Sequence, residues 1–121
     1  MNNIALITGA SKGIGKELAE VFAKNGYSLL LVARTTSELE KLQTDLKNKY
    51  QCESKILSVD LSQPQCVDII MTAFKDEMPL LQVLVNNAGY GLVKKLTDMQ
   101  TRILNISKGT GQPWILLISR L

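Results

Sequence analysis

Eight consecutive residues, Thr8-Gly9-Ala10-Ser11-Lys12-Gly13-Ile14-Gly15, join a short apolar run to a helical pattern and hold three glycines. Such a turn can cradle a phosphate. The first glycine permits the tight turn, and the later two let backbone approach the phosphate and let the helix pack on the strand. The helix start adds free N–H groups and the positive end of the dipole. An ordinary strand-to-helix turn is the plain alternative. A nucleoside-triphosphatase loop is excluded, although Gly15-Lys16 resembles its end. The glycine required five residues before Gly15 is Ala10, and Glu17 replaces the hydroxyl that would hold magnesium. Further polar clusters follow later apolar runs: Arg34, Asp60-Leu61, and Asn86-Asn87-Ala88-Gly89.

The elements that must position these residues alternate. Ile4 to Ile7 reads as a strand buried on both faces. Gly13 to Asn25 reads as a helix with Ile14, Leu18, Val21 and Phe22 on its apolar face, stopped at Asn25-Gly26. Ser28 to Ala33 is a second strand. Thr35 and Glu38 have capping-box spacing before an amphipathic helix from Thr36 to Tyr50, marked by Leu39, Leu42 and Leu46. Lys55 to Val59 reads as a third strand. Ser62 with Gln65 is a second candidate capping box, before a helix bearing Val67, Ile70, Met71, Phe74 and Met78. Val83 to Val85 is a fourth strand. This β-α-β-α-β-α-β order predicts an α/β chain with a parallel sheet, helices on both faces, and ligands at the carboxyl ends of the strands. Arg102 to Ser107 reads as a fifth strand, with Leu104-Asn105-Ile106 in a preceding helix as the alternative. The apolar tail Trp114 to Ile118 has no evident place in the sheet.

Composition excludes other classes. The chain has 121 residues, 45% of them hydrophobic and 21% charged, which excludes a disordered or collagen-like chain. Fourteen Lys and Arg against 11 Asp and Glu leave +3, with no aromatic-interleaved basic stripe, so no nucleic-acid partner is expected. The absence of histidine excludes a His-based zinc site, a Ser-His-Asp triad and a Cys-His dyad, and no metal centre is expected. Cys52 and Cys66 lack CxxC spacing and fit a reducing compartment. No stretch approaches the ~18 apolar residues of a membrane span, and the start lacks a signal-peptide pattern. A cytoplasmic protein is expected.

Thr-Gly-x-x-x-Gly-Ile-Gly at 8–15, Asp60-Leu61 and Asn86-Asn87-Ala88-Gly89, in that order, resemble the short-chain dehydrogenase/reductase family. The resemblance implies a Rossmann-type, three-layer, doubly wound sheet, here incomplete at its C-terminal side. It implies one dinucleotide-binding domain over residues 1–121, well matched over 1–91 and degenerate or truncated over 92–121. It further implies that Gly9, Ser11, Lys12, Gly13, Ile14 and Gly15 bind the pyrophosphate side. Asp60 and Leu61 would border the adenine, and Asn86, Ala88 and Gly89 would line the cofactor. Plain roles stay open for two of these: Asp60 as a cap for the following helix, Asn86 as a tie between strand ends.

NAD sites usually carry an acid at the end of the second strand, to bind the ribose 2′-OH. Here that strand ends Val32-Ala33-Arg34. A guanidinium can clamp a 2′-phosphate with two hydrogen bonds, and Lys12 adds positive charge, so NADP is expected in preference to NAD.

For catalysis the resemblance implies a Ser at the end of strand five, a Tyr acting as general acid/base, and a Lys four residues after it. Tyr90 and Lys94 match Tyr-x-x-x-Lys as a string but directly follow Asn-Asn-Ala-Gly, whereas the family's pair lies beyond strand five. Ser107 falls one residue before the Ser position of the expected fifth strand. Tyr90, Lys94 and Ser107 are therefore weak candidates. The expectation is an NADP-linked oxidoreductase of the carbonyl/alcohol type, acting on a small-molecule substrate and impaired in this short chain. The alternative is a non-catalytic dinucleotide-binding or interaction module. A flavodoxin-like FMN protein is a third reading, disfavoured because such phosphate loops are usually rich in Ser and Thr. The apolar tail is expected either to fill the space of the missing helix or to stay exposed as an apolar patch, giving a marginal fold or a homo-oligomer joined through the tail.

Overall fold

A computed structural model describes residues 1, 3–87, 98–99, 101–103 and 105–106, and the backbone of 116–119. In chain order the elements are β1 (Ile4–Thr8), α1 (Gly13–Lys24), β2 (Ser28–Ala33), α2 (Thr36–Tyr50), β3 (Ser54–Ser58), α3 (Cys66–Ala73), a 3-10 turn (Met78–Leu80), β4 (Leu81–Asn86) and β5 (Leu116–Ser119). The strands form one parallel sheet in the order β3-β2-β1-β4-β5. Every residue of β1 is buried, as is all of β2 after Ser28, which explains their unbroken apolar runs: a parallel strand is covered on both faces.

The chain leaves β1 towards one edge of the sheet, reaches β3, and returns to β1's other side as β4. This doubly wound, Rossmann-type order opens a crevice where the direction reverses, outside the carboxyl ends of β1 and β4. Strand alternation divides the core. Ala5, Ile7, Leu29 and Leu31 pack with Ala19 and Ala23 of α1 and Leu39, Leu42 and Leu46 of α2. Ile4, Leu6, Leu30 and Val32 pack on the opposite face with Val67, Ile70 and Met71 of α3, and with Met99 and Ile103.

Four readings need correction. The face of α1 on the sheet is not led by its large residues. Gly15, Ala19 and Ala23 are its buried positions, whereas Ile14 and Val21 are 45% and 53% exposed. Small residues at i, i+4 and i+8 bring the helix close to the strands, and Leu18 and Phe22 pack at its flank. Arg102, Ile103, Asn105 and Ile106 are helical and form no fifth strand. Met99, Ile103 and Ile106, at helical spacing, meet the α3 side of the core. The fifth strand is instead Leu116–Ser119, inside the tail that had no evident place, paired in register with Val83–Asn86. Trp114 and Ile115 lie outside the described residues. Helix α3 starts at Cys66 with Gln65 as N-cap, and neither Gln65 nor Thr35 of α2 makes a side-chain capping bond. Among the described residues no helix is long and apolar enough to cross a membrane.

Candidate functional site

At the crevice, side chains clasp the ends of β1 and β4. Thr8, the last residue of β1, is 1% exposed and stands in register with Asn86. Its hydroxyl donates to Asn86 Oδ1 at 2.9 Å, with the Val85 carbonyl at 3.4 Å as a second acceptor. The same Oγ1 accepts the Asn87 N–H at 3.1 Å. Asn87 Nδ2 then donates to the Gly9 carbonyl at 3.4 Å, while its Oδ1 is buried with no hydrogen-bond partner. Asn86 thus ties strand ends together, the plain role left open for it.

The glycine turn rests on this clasp. Gly9 and Gly13 take φ of +64° and +54°, a left-handed conformation that costs a glycine little. Gly15 is fixed by contact: a Cβ there would lie 2.1 Å from the Gly9 carbonyl oxygen and 2.7 Å from Asn87 Nδ2. At Gly13 a Cβ would meet nothing within 4 Å, so that side of the turn is open. Ala10 N–H donates to the Val32 carbonyl at 3.2 Å and holds the turn against the end of β2.

The first helical bond runs from Lys16 N–H to the Lys12 carbonyl at 3.3 Å, so the N–H groups of Gly13, Ile14 and Gly15 precede the ladder. Lys12 is the N-cap, its side chain makes no capping bond, and the first turn carries no acid. The positive end of α1 is therefore not neutralised from within its own sequence, an arrangement able to hold a phosphate. Exposed Ile14 offers an apolar surface beside it.

A charged rim surrounds the turn. Arg34, exposed just after β2, accepts a hydrogen bond at its carbonyl from Ser58 Oγ at 2.6 Å, which ties its backbone to β3. Asp60 Oδ1 accepts from Ser62 Oγ at 2.7 Å and from Ser62 N–H at 2.9 Å. Those two bonds hold the Asp60 carboxyl below the usual carboxylate range, with a smaller contribution from the Arg34 charge. Asp60 thus organises the turn before α3, which begins six residues later, rather than capping that helix. Leu61 is partly buried and packs against the α3-side core. Lys12 reaches Glu38, in the first turn of α2, with Nζ 3.7 Å from Oε1. Ser11 lines an adjoining groove of about 210 Å³ with Lys16, Glu38, Lys41, Leu42 and Asp45.

Gly9, Ser11, Lys12, Gly13, Ile14, Gly15, Arg34, Asp60, Leu61 and Asn86 all fall at or beside the carboxyl edge of the sheet. Ala88, Gly89, Tyr90, Lys94 and Ser107 lie outside the described residues. Sequence reasoning missed Thr8 and Asn87 as the clasp, and Glu38 as an acid facing the turn. A threonine closing an apolar strand and a doubled asparagine were the available signals.

A family model described as short chain dehydrogenase matches residues 3–107. The very-long-chain 3-oxoacyl-CoA reductase of Candida glabrata is 40% identical over 86 residues, covering 70% of this chain and 24% of that protein. Its counterpart in Lodderomyces elongisporus is 42% identical over 88 residues, covering 72% and 25%. Among solved structures, L-sorbose reductase from Gluconobacter frateurii, complexed with NADPH and L-sorbose, superposes with a TM-score of 0.78 at 28% identity, over 98% of this chain and 51% of that one. The alcohol dehydrogenase of Thermococcus sibiricus, complexed with 5-hydroxy-NADP, gives 0.76 at 26% identity, over 97% and 57%. The chain spans about a quarter of the length of the curated relatives it matches.

Proposed function

The chain belongs to the short-chain dehydrogenase family, and from that membership we propose that its carboxyl sheet edge binds a nicotinamide dinucleotide, NADP in preference to NAD. The observation that carries this reading is the pairing of Gly15 and Gly13. Gly15 is wedged on the Gly9 carbonyl, which fixes the uncapped start of α1, and Gly13 leaves open the side a phosphate would approach. The N–H groups of Gly13, Ile14 and Gly15 would receive the pyrophosphate. Ser11 and Lys12 would flank it, Asp60 and Leu61 would border the adenine, and Asn86, Ala88 and Gly89 would line the remainder. Arg34 and Lys12 supply cationic groups for a 2′-phosphate. The relatives solved with NADPH and with 5-hydroxy-NADP support that preference.

When bound, the nicotinamide gives or takes a hydride, and the whole protein's reaction is read as reduction of a small-molecule carbonyl or oxidation of the matching alcohol. Its named relatives, reductases and alcohol dehydrogenases, support that class. β5 ends at Ser119, in register with Asn86, which supports Ser119 rather than Ser107 as the serine expected at the end of strand five. We read residues 1–121 as one dinucleotide-binding unit. The buried free thiols of Cys52 and Cys66 fit a reducing, cytoplasmic setting.

A non-catalytic binding module is the second reading, and one observation favours it. Among the described residues the tyrosines are Tyr27, just before β2, and Tyr50, at the end of α2, and both stand at the amino edge of the sheet, away from the crevice, while Tyr90 lies outside the described residues. Fluorescence titration of the folded chain with NADPH and NADH tests the proposal. NADPH should bind more tightly, and Gly13→Val, both bulky and strained at φ +54°, should abolish binding, with urea denaturation separating lost binding from lost fold. Folded protein that binds neither dinucleotide overturns it.

A further inference from the structure

We infer that Glu38 is a specificity-determining residue: it holds Lys12 when no 2′-phosphate is present and competes with that phosphate for Lys12 when one arrives. The inference rests on the NADP reading above and deepens it. Glu38 occupies the third helical position of α2, where a carboxylate often turns back to cap its own helix. Here its Oε1 faces Lys12 at 3.7 Å, and its Oε2 is buried without a hydrogen-bond partner.

The two partners are held unequally. The Lys12 side chain is 79% exposed on the turn, whereas that of Glu38 is 37% exposed and lines the groove between α1 and α2. Lys16 and Lys41 share that groove, yet the ion pair of Glu38 is with Lys12. An exposed pair of this length is weak and screened by salt. A phosphate monoester carries about −1.5 to −2 charges at neutral pH, so it outbids one carboxylate for the ammonium. Lys12 is the mobile member and moves to the phosphate, while Glu38 stays as a like charge near it. A ribose 2′-OH makes no such demand, and the pair stays closed. Glu38 thereby narrows the gap between NADP and NAD that Arg34 and Lys12 create.

The test compares Kd values by fluorescence titration for wild type, Glu38→Gln, Lys12→Ala and the double variant, each checked for fold by circular dichroism. Glu38→Gln should tighten NADPH roughly five-fold at low salt and leave NADH within about two-fold, and raising ionic strength should shrink the gain. In the Lys12→Ala background most of the gain should vanish, because the carboxylate acts largely through that ammonium. Adenosine 2′,5′-bisphosphate against adenosine 5′-monophosphate, followed by calorimetry, reads the same subsite without the nicotinamide and should repeat the pattern. An unchanged or lowered NADPH preference in Glu38→Gln, with wild type binding normally, overturns this inference alone. Folded wild type that binds neither dinucleotide nor the bisphosphate overturns the NADP reading, and this inference with it.

Discussion

The carboxyl edge of the sheet has an inner part and a rim, and the two are built differently. The inner part is Thr8, Gly9, Gly15 and Asn87, where buried backbone and side-chain atoms leave no room for a Cβ at Gly15. The rim is Lys12, Arg34, Glu38 and Asp60, held by long or solvent-facing charge contacts. Sterics and buried hydrogen bonds determine the first, so its geometry has one solution. Electrostatics in water determine the second, so its contacts can be exchanged one for another. A change inside should cost the fold, and a change on the rim should retune what the fold binds.

The sharpest way to break the comparison is Gly15→Ala. The added carbon would sit 2.1 Å from a backbone oxygen that no rotamer can move. Overpacking against backbone should cost about 3 kcal/mol or more, a large share of a typical domain's stability. Urea denaturation should show the loss, and a variant as stable as wild type would show that the inner part is not over-determined.

Thr8→Val keeps the side-chain shape and removes the hydroxyl that accepts the Asn87 N–H and donates to Asn86. It leaves buried polar groups unpaired and should cost about 2 kcal/mol, read by the same denaturation. Valine is at home in this strand, so a neutral result would assign the clasp no energetic role.

On the rim, Arg34→Asp should leave the urea midpoint nearly unchanged. It should move the NADPH-to-NADH affinity ratio towards NADH by about 2 kcal/mol, the scale of charge-assisted hydrogen bonds. A stable variant with an unchanged ratio would remove Arg34 from recognition.

Asp60→Asn should give the smallest effect, present at neutral pH and identified by its dependence on pH. The folded-state pKa of Asp60 is lowered, chiefly by Ser62. Its carboxylate therefore adds stability above the unfolded pKa of about 4, and that stability is lost as pH falls through the lower folded value. Thermal melts from pH 7 down to pH 3 should show the gap between wild type and variant closing at the acid end. A gap that widens there would reverse the assignment.

What the residues disclosed follows the same division. The alternation of strands and helices was legible because apolar runs and helical spacing depend on local sequence. The glycine turn was legible because its neighbours in the chain are also its neighbours in space. Contacts between distant segments were not. Nothing near Asn87 says that its amide reaches Gly9, and nothing near Glu38 says that it faces Lys12. The stretch 102–106 misled because Ile103 and Ile106 suit either a short strand or a helix face. Only Met99, read together with them, shows the helical period. In α1, counting large side chains hid the Gly15-Ala19-Ala23 stripe that lies on the sheet.

The clasp also bears on the order of folding. Its bonds join residues 77 to 79 positions apart, whereas β1, α1, β2, α2 and β3 pair with neighbours close along the chain. Closing so long a loop is entropically slow, so the β1–β3 half can assemble while the glycine turn still lacks its far wall. The turn gains that wall only when β4 docks beside β1. Any molecule that needs the finished turn then selects chains whose two halves have joined, and its binding shifts the population towards them. Such a ligand would act on this fold as a checkpoint late in its assembly as well as an occupant of its crevice.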